Sequence, residues 1–482
     1  MEIKYTYQFE KQGFQVDQEN IRDNYIYLDL GGSLNKNIFD HHTDRLDFSS
    51  SAELVYNFPY LIEIDKTKNV NFVVHQYPDF DAVLSVYLVK FYLENNQFNL
   101  GVNYLVNMGR KVDSGEFVID RNNLINPATI MRMINEIDEY SNENKLEKGL
   151  ILLEMVHTQI NEILLQNENS YNDLTKVIDL YNSFLISTPQ KFEKEINLAK
   201  EDYKKYLKDK KDEIAVPEMV KLYNHEKEKY ELVEGLFFSN VPSCKLHKDW
   251  ARSDHEAKNK EGYVLTFIPL KESTIELSDT YLFYALKEEG KFSEYKDYKA
   301  FQSKYSKDEI KKMLNSKSQF FYKKLKNILR KNNLLNEEMS ENKNKRFQII
   351  VSVKPNSPYT LEGLGKDLEI LEQKKEEKLF KNNDLTKYFK REYFKNKRYV
   401  NARFNDKWIK SDDPWYDGRN QYYTIVDTPR RGTYLTYEEV KNTFKKLNYI
   451  DVKRNDIKVL IPITFNNKKY TYEKNFKRDK KN

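Results

Sequence analysis

The feature that most restricts the possible folds of this chain is a buried strand followed directly by a helix that is apolar on nearly every side. Residues 69–94 read NVNFVV, then the turn HQYPDFD, then AVLSVYLVKFYLE. The β-branched run predicts a buried strand, and a helix that is apolar on nearly every side is expected to pack against a sheet. The segment therefore predicts a parallel α/β sheet with helices packed on it.

Two further predicted strands precede this unit. Residues 24–30 (NYIYLDL) run into a Gly-Gly pair, and residues 37–39 (NIF) run into an Asp-His-His triplet. Residues 50–58 (SSAELVYNF) open with Ser and carry Glu53 in the first turn, which is typical of a capped helix start. We therefore expect residues 1–125 to form an α/β domain built on a parallel sheet.

The pattern changes beyond residue 125. Four runs with helical periodicity follow, at residues 127–140, 146–165, 171–185 and 193–214. Strands return after Pro217 in GYVLTFIPL, RFQIIVSVKP, QYYTIVD and IKVLIPITF, with helical runs around residues 308–332 and 365–380. This predicts a helical connector over residues 126–216 and a second, α+β domain over residues 217–482. A chain of 482 residues is long enough for two or three packed cores.

Charge and cysteine content exclude several kinds of site. The chain has 80 Lys and Arg against 75 Asp and Glu, a net charge of +5, which is too balanced to hold a long nucleic acid through charge alone. Cys244 is its one cysteine, so a metal site must use His and carboxylate ligands. The first residues lack the apolar core of a signal peptide, and no run approaches about 18 apolar residues. We expect a cytoplasmic protein without membrane contact.

Ionisable residues gather at the ends of the predicted strands. The set comprises Asp29, the triplet Asp40, His41 and His42, and the motif residues His75, Asp79 and Asp81. Asp113 is a further candidate, after the strand-like run VNYLVNM. Because open α/β sheets bind ligands where the carboxyl ends of their strands meet, we expect these side chains to converge. The remaining histidines, His157, His225, His247 and His255, are expected to be surface or core residues.

Five carboxylates held close together need positive charge among them, since burial and like charge both raise a carboxyl pKa. Two divalent cations would supply that charge. Asp and His ligands without sulfur suit Mn²⁺ best, with Mg²⁺, Co²⁺ or Fe²⁺ as competitors. A pair of ions about 3.5–4 Å apart activates water for in-line attack on phosphorus. The alternative is that the HxxxDxD motif and the DHH triplet are unrelated surface loops.

Taken together, these segments resemble the DHH phosphoesterase superfamily. The matching text is LDLGG at 28–32, FDHH at 39–42, SSAELVY at 50–56, HQYPDFDA at 75–82 and VDSGEF at 112–117, about a quarter of the chain. In the family, the HxxxDxD segment normally precedes DHH, whereas here it follows, as in a permuted domain. The site can survive that change, because a sheet edge is defined by which strands lie side by side.

The resemblance implies a role for each residue of the set. One metal ion would be held by His75 and Asp79, a second by Asp81, His41 and Asp113, and Asp29 would bridge both. Asp40 would orient the neighbouring imidazoles, as metal-bound histidines generally require. His42 would face the scissile phosphate as a hydrogen-bond donor or acid. Members of the family hydrolyse phosphoanhydrides and phosphodiesters, from pyrophosphate to short oligonucleotides, cyclic dinucleotides and single-stranded DNA.

The second half offers weaker candidates, and it resembles no family. Gly363, Gly365 and Lys366 form a Gly-containing loop that enters a predicted helix, where backbone N–H groups can hold phosphate. A plain tight turn is the alternative. Arg419, Arg430 and Arg431 lie among aromatic residues in DPWYDGR and TPRRG, so they could bind phosphate beside a stacked base. The alternative there is a loop and hairpin pinned by Trp415.

The first functional hypothesis is a Mn²⁺-dependent phosphodiesterase or exonuclease that uses a metal-activated water. Its substrate would be a short oligonucleotide, a cyclic dinucleotide or the end of a single strand, and a homodimer or partner protein is possible. The near-neutral charge favours short substrates over long polymers. The alternative hypothesis is a nucleotide-sensing or scaffold subunit of a bacterial defence or signalling assembly. In that case the metal site would be retained with little turnover.

Overall fold

The computed structural model shows a mixed α/β protein whose sheets contain parallel strands. It describes residues 3–10, 14–16, 21–42, 48, 50–117, 119–166, 189–258, 260–272, 283, 286–287, 290–296, 298–317, 347–355, 357–382, 415–418, 424–429, 433–447, 458–465 and 468–475. These residues contain 14 strands and 11 α-helices. They divide into two compact units, described separately below.

Unit 1 consists of residues 1–213, 243–263 and 354–356. Its five-stranded sheet contains β1 (Tyr5–Glu10), β2 (Tyr25–Leu28), β3 (Leu34–Asn35), β4 (Ile38–Phe39) and β5 (Val70–His75). The strand order is β1-β5-β2-β4-β3, in which β1, β5, β2 and β4 run parallel and β3 is antiparallel to β4. The strands that end at the candidate site are thus neighbours, although they are not in chain order.

Seven helices belong to unit 1. They are α1 (Ser51–Asn57), α2 (Phe80–Asn95), α3 (Leu100–Asp113), α4 (Pro127–Asn135), α5 (Asn142–Gln166), α6 (Glu193–Lys211) and α7 (His247–Arg252). Short 3₁₀ turns cover Pro59–Leu61 and Pro189–Phe192. Helix α2 lies between the sheet and helices α1, α3, α4 and α5, and ten of its residues are buried. The prediction that this helix packs against a sheet is confirmed.

The described helices of the predicted connector, α4, α5 and α6, belong to unit 1, and the helical run predicted at residues 171–185 lies outside the described residues. Helix α6 is joined to the segment that returns from the second half by Asp202, whose buried carboxylate accepts from the backbone N–H groups of Lys245 and Leu246 at 2.7 and 2.9 Å. The Nε1–H of Trp250 donates to the same carboxylate at 2.9 Å. Part of the chain beyond Pro217 is therefore built into the unit that carries the candidate site.

Unit 2 consists of residues 214–242, 264–353 and 357–482. Its seven-stranded, mostly antiparallel sheet has the order β10-β6-β7-β8-β9-β12-β11. Those strands are β6 (Ala215–Asn224), β7 (Lys229–Phe238), β8 (Leu265–Glu272), β9 (Phe347–Val353), β10 (Tyr359–Thr360), β11 (Tyr416–Gly418) and β12 (Ile425–Asp427). The strands β13 (Lys458–Phe465) and β14 (Lys468–Asn475) form a separate antiparallel pair.

Four helices belong to unit 2: α8 (Tyr298–Gln302), α9 (Lys307–Lys317), α10 (Leu364–Asn382) and α11 (Tyr437–Leu447). Leu368 of α10 and Val440 and Phe444 of α11 pack with strand residues in one buried apolar cluster. This mixture of strands and helices agrees with the predicted α/β character. None of the described helices combines the length and the apolar content needed to cross a bilayer.

Two sequence predictions require correction. The run VNYLVNM, interpreted as strand-like, lies inside helix α3, whose N-cap Asn99 accepts from the Val102 N–H at 3.0 Å. Asp113 therefore comes from the end of a helix and not from a turn after a strand. In addition, strand β1 and the β6–β7 hairpin were not predicted, because their polar and apolar residues are too mixed to mark a buried strand.

Candidate metal centre

The candidate metal centre lies at the carboxyl edge of the unit 1 sheet. Asp29 follows β2, Asp40 follows β4, and His75 is the last residue of β5. Since β5, β2 and β4 are adjacent and parallel, their ends meet at the same edge. The changed order of the motifs along the chain therefore does not separate them in space.

Asp29 stands between two imidazoles. Its Oδ2 lies 3.1 Å from Nε2 of His75, and its Oδ1 lies 3.5 Å from Nε2 of His41. The backbone of Asp29 is left-handed, with φ +58°, a conformation that is costly for most residues and tolerated best by Asn and Asp. The chain thus turns sharply at the end of β2, and the two oxygens of one buried carboxylate face different histidines.

Asp29, His75 and Asp79 form the first ligand group. Each offers a ligand atom within 4.8 Å of the others, and Nε2 of His75 lies 3.7 Å from Oδ1 of Asp79. His75 Nδ1 donates to the backbone oxygen of Gln76 at 3.1 Å, which leaves Nε2 available as a ligand. Asp79 is also the N-cap of helix α2, where its Oδ1 accepts from the N–H groups of Asp81 and Ala82.

His41, Asp81 and Asp113 surround a second position next to Asp29. Nε2 of His41 lies 3.8 Å from Oδ2 of Asp81 and 3.9 Å from Oδ2 of Asp113. None of the described residues makes a well-aligned hydrogen bond to this buried nitrogen, although Oδ1 of Asp29 lies 3.5 Å away. A buried nitrogen with three carboxylates at 3.5–3.9 Å is the arrangement expected of ligands around a cation.

The N-terminus of helix α1 holds Asp81 in place. The backbone N–H groups of Ser51 and Ala52 donate to its two oxygens at 2.7 and 3.0 Å, and the hydroxyl of Ser51 donates to Oδ1 of Asp29 at 3.1 Å. The N–H groups in the first turn of a helix have no partner within the helix and attract negative charge. The sequence predicted this helix start but not its role, which Ser50 and Ser51, eight and nine residues after His42, could have indicated.

Asp40 holds the ring of His42. Its Oδ1 lies 3.0 Å from Nδ1 of His42 and accepts from the His42 N–H at 2.9 Å, while its Oδ2 accepts from the N–H of Gly32 at 2.7 Å. Gly32 has φ +78°, a left-handed conformation that glycine adopts without strain. The side chain of His42 is 55% exposed, and its Nδ1 lies 3.5 Å from Oδ1 of Asp29. His42 therefore combines an exposed ring with a position beside the centre, and with Asp29 and His41 it forms a further possible ligand group.

Burial and mutual repulsion shift the proton affinities of the cluster. Burial, with the nearby charge of Asp29, raises the pKa of Asp81 well above its ordinary value. Burial acts to lower the pKa of His41 and His75, but the contacts with Asp29 outweigh it and raise their pKa values to about 10 and about 11. Without an ion, protons on these imidazoles therefore balance part of the carboxylate charge.

The pKa of Asp79 depends in part on Arg132, a cation outside the cluster. Burial acts to raise the pKa of Asp79, but His75, the Ala82 N–H and the positive charge of Arg132 together lower it below its ordinary value. Arg132 is an exposed residue of helix α4. It adds a basic group next to the first ligand position, and sequence analysis did not identify it.

These residues fit a divalent ion. Ligand atoms lie about 2.0–2.2 Å from such an ion, and so about 3–4 Å from one another. The distances from His75 and His41 to their carboxylate neighbours, 3.1–3.9 Å, lie in this range. The buried Asp and His groups can therefore hold a metal ion, and Asp29 belongs to both possible sites.

The substrate-binding candidates of the second half lie in unit 2 or outside the described residues. Gly363 has φ +86° and precedes helix α10, and its carbonyl accepts from the Asp367 N–H at 3.0 Å. This is the geometry of a tight turn into a helix, and a role of Gly363, Gly365 and Lys366 in binding stays a prediction. Arg419, Arg430 and Arg431 lie outside the described residues.

Trp415, considered as a possible base-stacking residue, is fully buried. The strand that it precedes, β11, pairs with β12, so the structure agrees with the alternative of a loop and hairpin pinned by this ring.

Comparison of the chain with models of known families, with curated proteins and with solved structures finds no match. The functional argument therefore rests on the geometry of unit 1.

Proposed function

We propose that unit 1 is a two-metal phosphoesterase that hydrolyses a nucleotide-containing phosphodiester, and that the protein belongs to the DHH type of such enzymes. The observation that carries this proposal is Asp29. Its two oxygens face His75 and His41 at 3.1 and 3.5 Å, and a further aspartate accompanies each histidine. A carboxylate placed in this way bridges two ions, and two-ion sites are typical of phosphoryl-transfer enzymes.

In this proposal, Asp29, His75 and Asp79 hold one ion, and Asp29, His41, Asp81 and Asp113 hold the other. Mn²⁺ suits this mixture of oxygen and nitrogen ligands, and Mg²⁺ or Co²⁺ would compete with it. Bound at this site, the pair would supply Lewis acidity toward a phosphoryl oxygen and lower the pKa of a water molecule.

His42 has the position of a group that meets the substrate. Its ring is 55% exposed beside the buried ligands, and Asp40 fixes it from the other side. Burial acts to lower the pKa of His42, but Asp40 and Asp29 outweigh burial and raise it above its ordinary value. We propose that it donates a hydrogen bond or a proton to the phosphoester during hydrolysis.

The test is a hydrolysis assay with Mn²⁺ on pyrophosphate, a cyclic dinucleotide, a dinucleotide and single-stranded DNA. We expect release of nucleoside monophosphate from at least one nucleotide substrate. The variants Asp29→Asn and Asp81→Asn should lose at least about a thousandfold in rate, because each removes charge from ligands that act only through the ions.

Asp65→Asn is the matched control. Asp65 is a surface carboxylate of the same unit, 45% exposed, whose Oδ1 accepts from the N–H and hydroxyl of Thr67. An amide oxygen keeps those bonds, so turnover should stay within about twofold of wild type. Undiminished turnover in an Asp29→Asn/Asp81→Asn double variant would reject the proposal. Mn²⁺ binding without turnover on any substrate would also reject it, in favour of a nucleotide-sensing or scaffold role.

A further inference from the structure

An exposed aromatic residue lies in the turn between two ligands of the candidate metal centre. Tyr77 lies two residues from both His75 and Asp79, in the turn that joins β5 to α2, and 63% of it is exposed. Its backbone is left-handed, with φ +62°. For a bulky residue this conformation is a genuine outlier, and such strain persists only where the surrounding structure imposes it. Glycine or asparagine would occupy the same position at lower cost.

Helix α4 holds the turn in this conformation. The side chain of Asn135, the last residue of α4, donates to the backbone oxygen of Pro78 at 2.8 Å. The backbone oxygen of Asn135 accepts from the ammonium of Lys145 at 2.9 Å. Asn135 thus forms hydrogen bonds both to the turn that carries Tyr77 and to Lys145 beside it.

Lys145 supports the ring of Tyr77. The residue is 3% exposed, and its Nζ lies 4.8 Å from the centre of the ring, a cation–π contact. A nearly buried lysine is rare and costly, so its position under an exposed tyrosine is a specific arrangement. The ammonium fixes the ring at one side while most of the ring surface stays in contact with solvent.

A second cation lies on helix α4. Arg132 precedes Asn135 by three residues on helix α4, so both lie on the same side of that helix. Its side chain is exposed. The helix whose Asn135 holds the Tyr77 turn therefore also carries a guanidinium that is open to a ligand.

We propose that Tyr77 is the stacking surface for a nucleobase whose phosphate lies at the metal centre, with Arg132 contacting that phosphate or its neighbour. The inference rests on the proposed function and narrows its substrate class to esters that carry a base next to the scissile phosphate. Stacking on one ring tolerates every base, so the enzyme should select nucleotides over base-free phosphoesters without selecting one sequence.

The experiment compares two substrates that differ only in the base. One is the dinucleotide pApA, and the other is the same phosphodiester with an abasic ribose next to the scissile phosphate. Tyr77→Asn removes the ring from a position where asparagine is tolerated, so the variant should melt at or above the wild-type temperature. Tyr77→Phe keeps the ring and serves as the conservative control.

We expect Tyr77→Asn to lose about 10- to 100-fold in kcat/KM on pApA, and at least about tenfold less on the abasic substrate. Tyr77→Phe should stay within a few-fold of wild type on both substrates. An equal loss on both substrates would overturn the inference, because it would mean that Tyr77 only positions His75 and Asp79. Equal activity of Tyr77→Asn and wild type on pApA would overturn it as well.

A binding measurement separates this inference from the proposed function. Calorimetry with Mn²⁺ present should show tighter binding of AMP than of ribose 5-phosphate, and Tyr77→Asn should abolish the difference. If the wild-type protein shows this preference and hydrolyses nothing, the proposed function fails and the stacking inference stands. If it hydrolyses phosphodiesters but shows no preference for AMP, the stacking inference fails and the proposed function stands.

Discussion

Buried carboxylates occur in both units, but their surroundings differ. In unit 2, Glu369 and Glu372 are 2% and 1% exposed. Glu369 accepts from the backbone N–H of Trp415 at 3.0 Å, and Glu372 accepts from the Trp415 indole, the Thr433 hydroxyl and the Tyr434 N–H. Backbone N–H groups, an indole and a hydroxyl therefore donate to these carboxylates.

In unit 1, the aspartates of the metal centre face one another and two imidazoles. Asp81 has backbone donors from Ser51 and Ala52, yet it lies near Asp29 and its pKa is raised by burial and by that neighbour. The comparison indicates that a buried acid that accepts several hydrogen bonds stabilises the fold, whereas buried acids gathered around histidines store repulsion that a cation can relieve.

Histidines show the same contrast. His157 is buried between the hydroxyl of Tyr87 at 2.7 Å and Oδ1 of Asn99 at 2.9 Å, and burial lowers its pKa to about 4. His41 and His75, beside carboxylates, have pKa values of about 10 and about 11. One buried histidine is thus held neutral by the fold, and two others are poised to exchange a proton for a metal ion.

The largest expected effect is on metal stoichiometry. If Asp29 bridges the two sites, wild type should bind two Mn²⁺ ions, Asp29→Asn should weaken both sites by at least about 100-fold, and Asp79→Asn should weaken one. Titration calorimetry gives the stoichiometry, and electron paramagnetic resonance distinguishes a spin-coupled Mn²⁺ pair from an isolated ion. If Asp29→Asn loses only one of the two Mn²⁺ sites, the bridging role of Asp29 is contradicted.

A smaller effect concerns stability in acid. The pKa of His157 is about 4 in the folded protein and about 6.5 in the unfolded chain, so the unfolded chain binds the extra proton first as the pH falls. The contribution of His157 to the free energy of unfolding is therefore complete above pH 6.5 and declines as the pH falls toward 4, by about 3 kcal/mol.

Urea unfolding at several pH values tests this prediction with His157→Gln, which can hydrogen-bond but does not titrate. The variant should be less stable than wild type at pH 7, and the gap should narrow by about 3 kcal/mol at pH 4. A gap independent of pH would mean that the pKa of His157 is the same in the folded and unfolded protein, and the prediction would be wrong. A gap that widens toward pH 4 would mean that the fold raises the pKa of His157, as it does for His41 and His75.

Much of the candidate site could be predicted from the sequence because strand ends are visible in it. The β-branched runs before Asp29, Asp40 and His75 each stop at an ionisable residue, and parallel strands bring such residues to one edge. The strand order β1-β5-β2-β4 could not be predicted from the sequence, because strand pairing depends on contacts between residues far apart in the chain.

Other features depend on tertiary contacts that leave little trace in the sequence. The run before Asp113 contains β-branched residues that suit a strand or a helix, and its helix in the structure packs against α1, α2 and α5. The segment of residues 243–263 joins unit 1 through the carboxylate of Asp202, far away in the chain. Tyr77 and Arg132 resemble ordinary surface residues until the turn and helix α4 are placed side by side.

The smallest expected effect concerns the buried carboxylates of unit 2. Glu372→Gln replaces a carboxylate enclosed by donors with an amide, whose N–H₂ group must face a donor among Trp415, Thr433 and Tyr434. A buried donor without an acceptor costs about 1–3 kcal/mol, so the free energy of unfolding should fall by about 2 kcal/mol in urea. The Mn²⁺ affinity should not change, because the acid belongs to unit 2 and pins its fold. A tenfold or greater loss of Mn²⁺ affinity in a folded Glu372→Gln protein would show that the two kinds of buried acid are not independent, and the distinction between structural and ion-binding carboxylates would fail for this molecule.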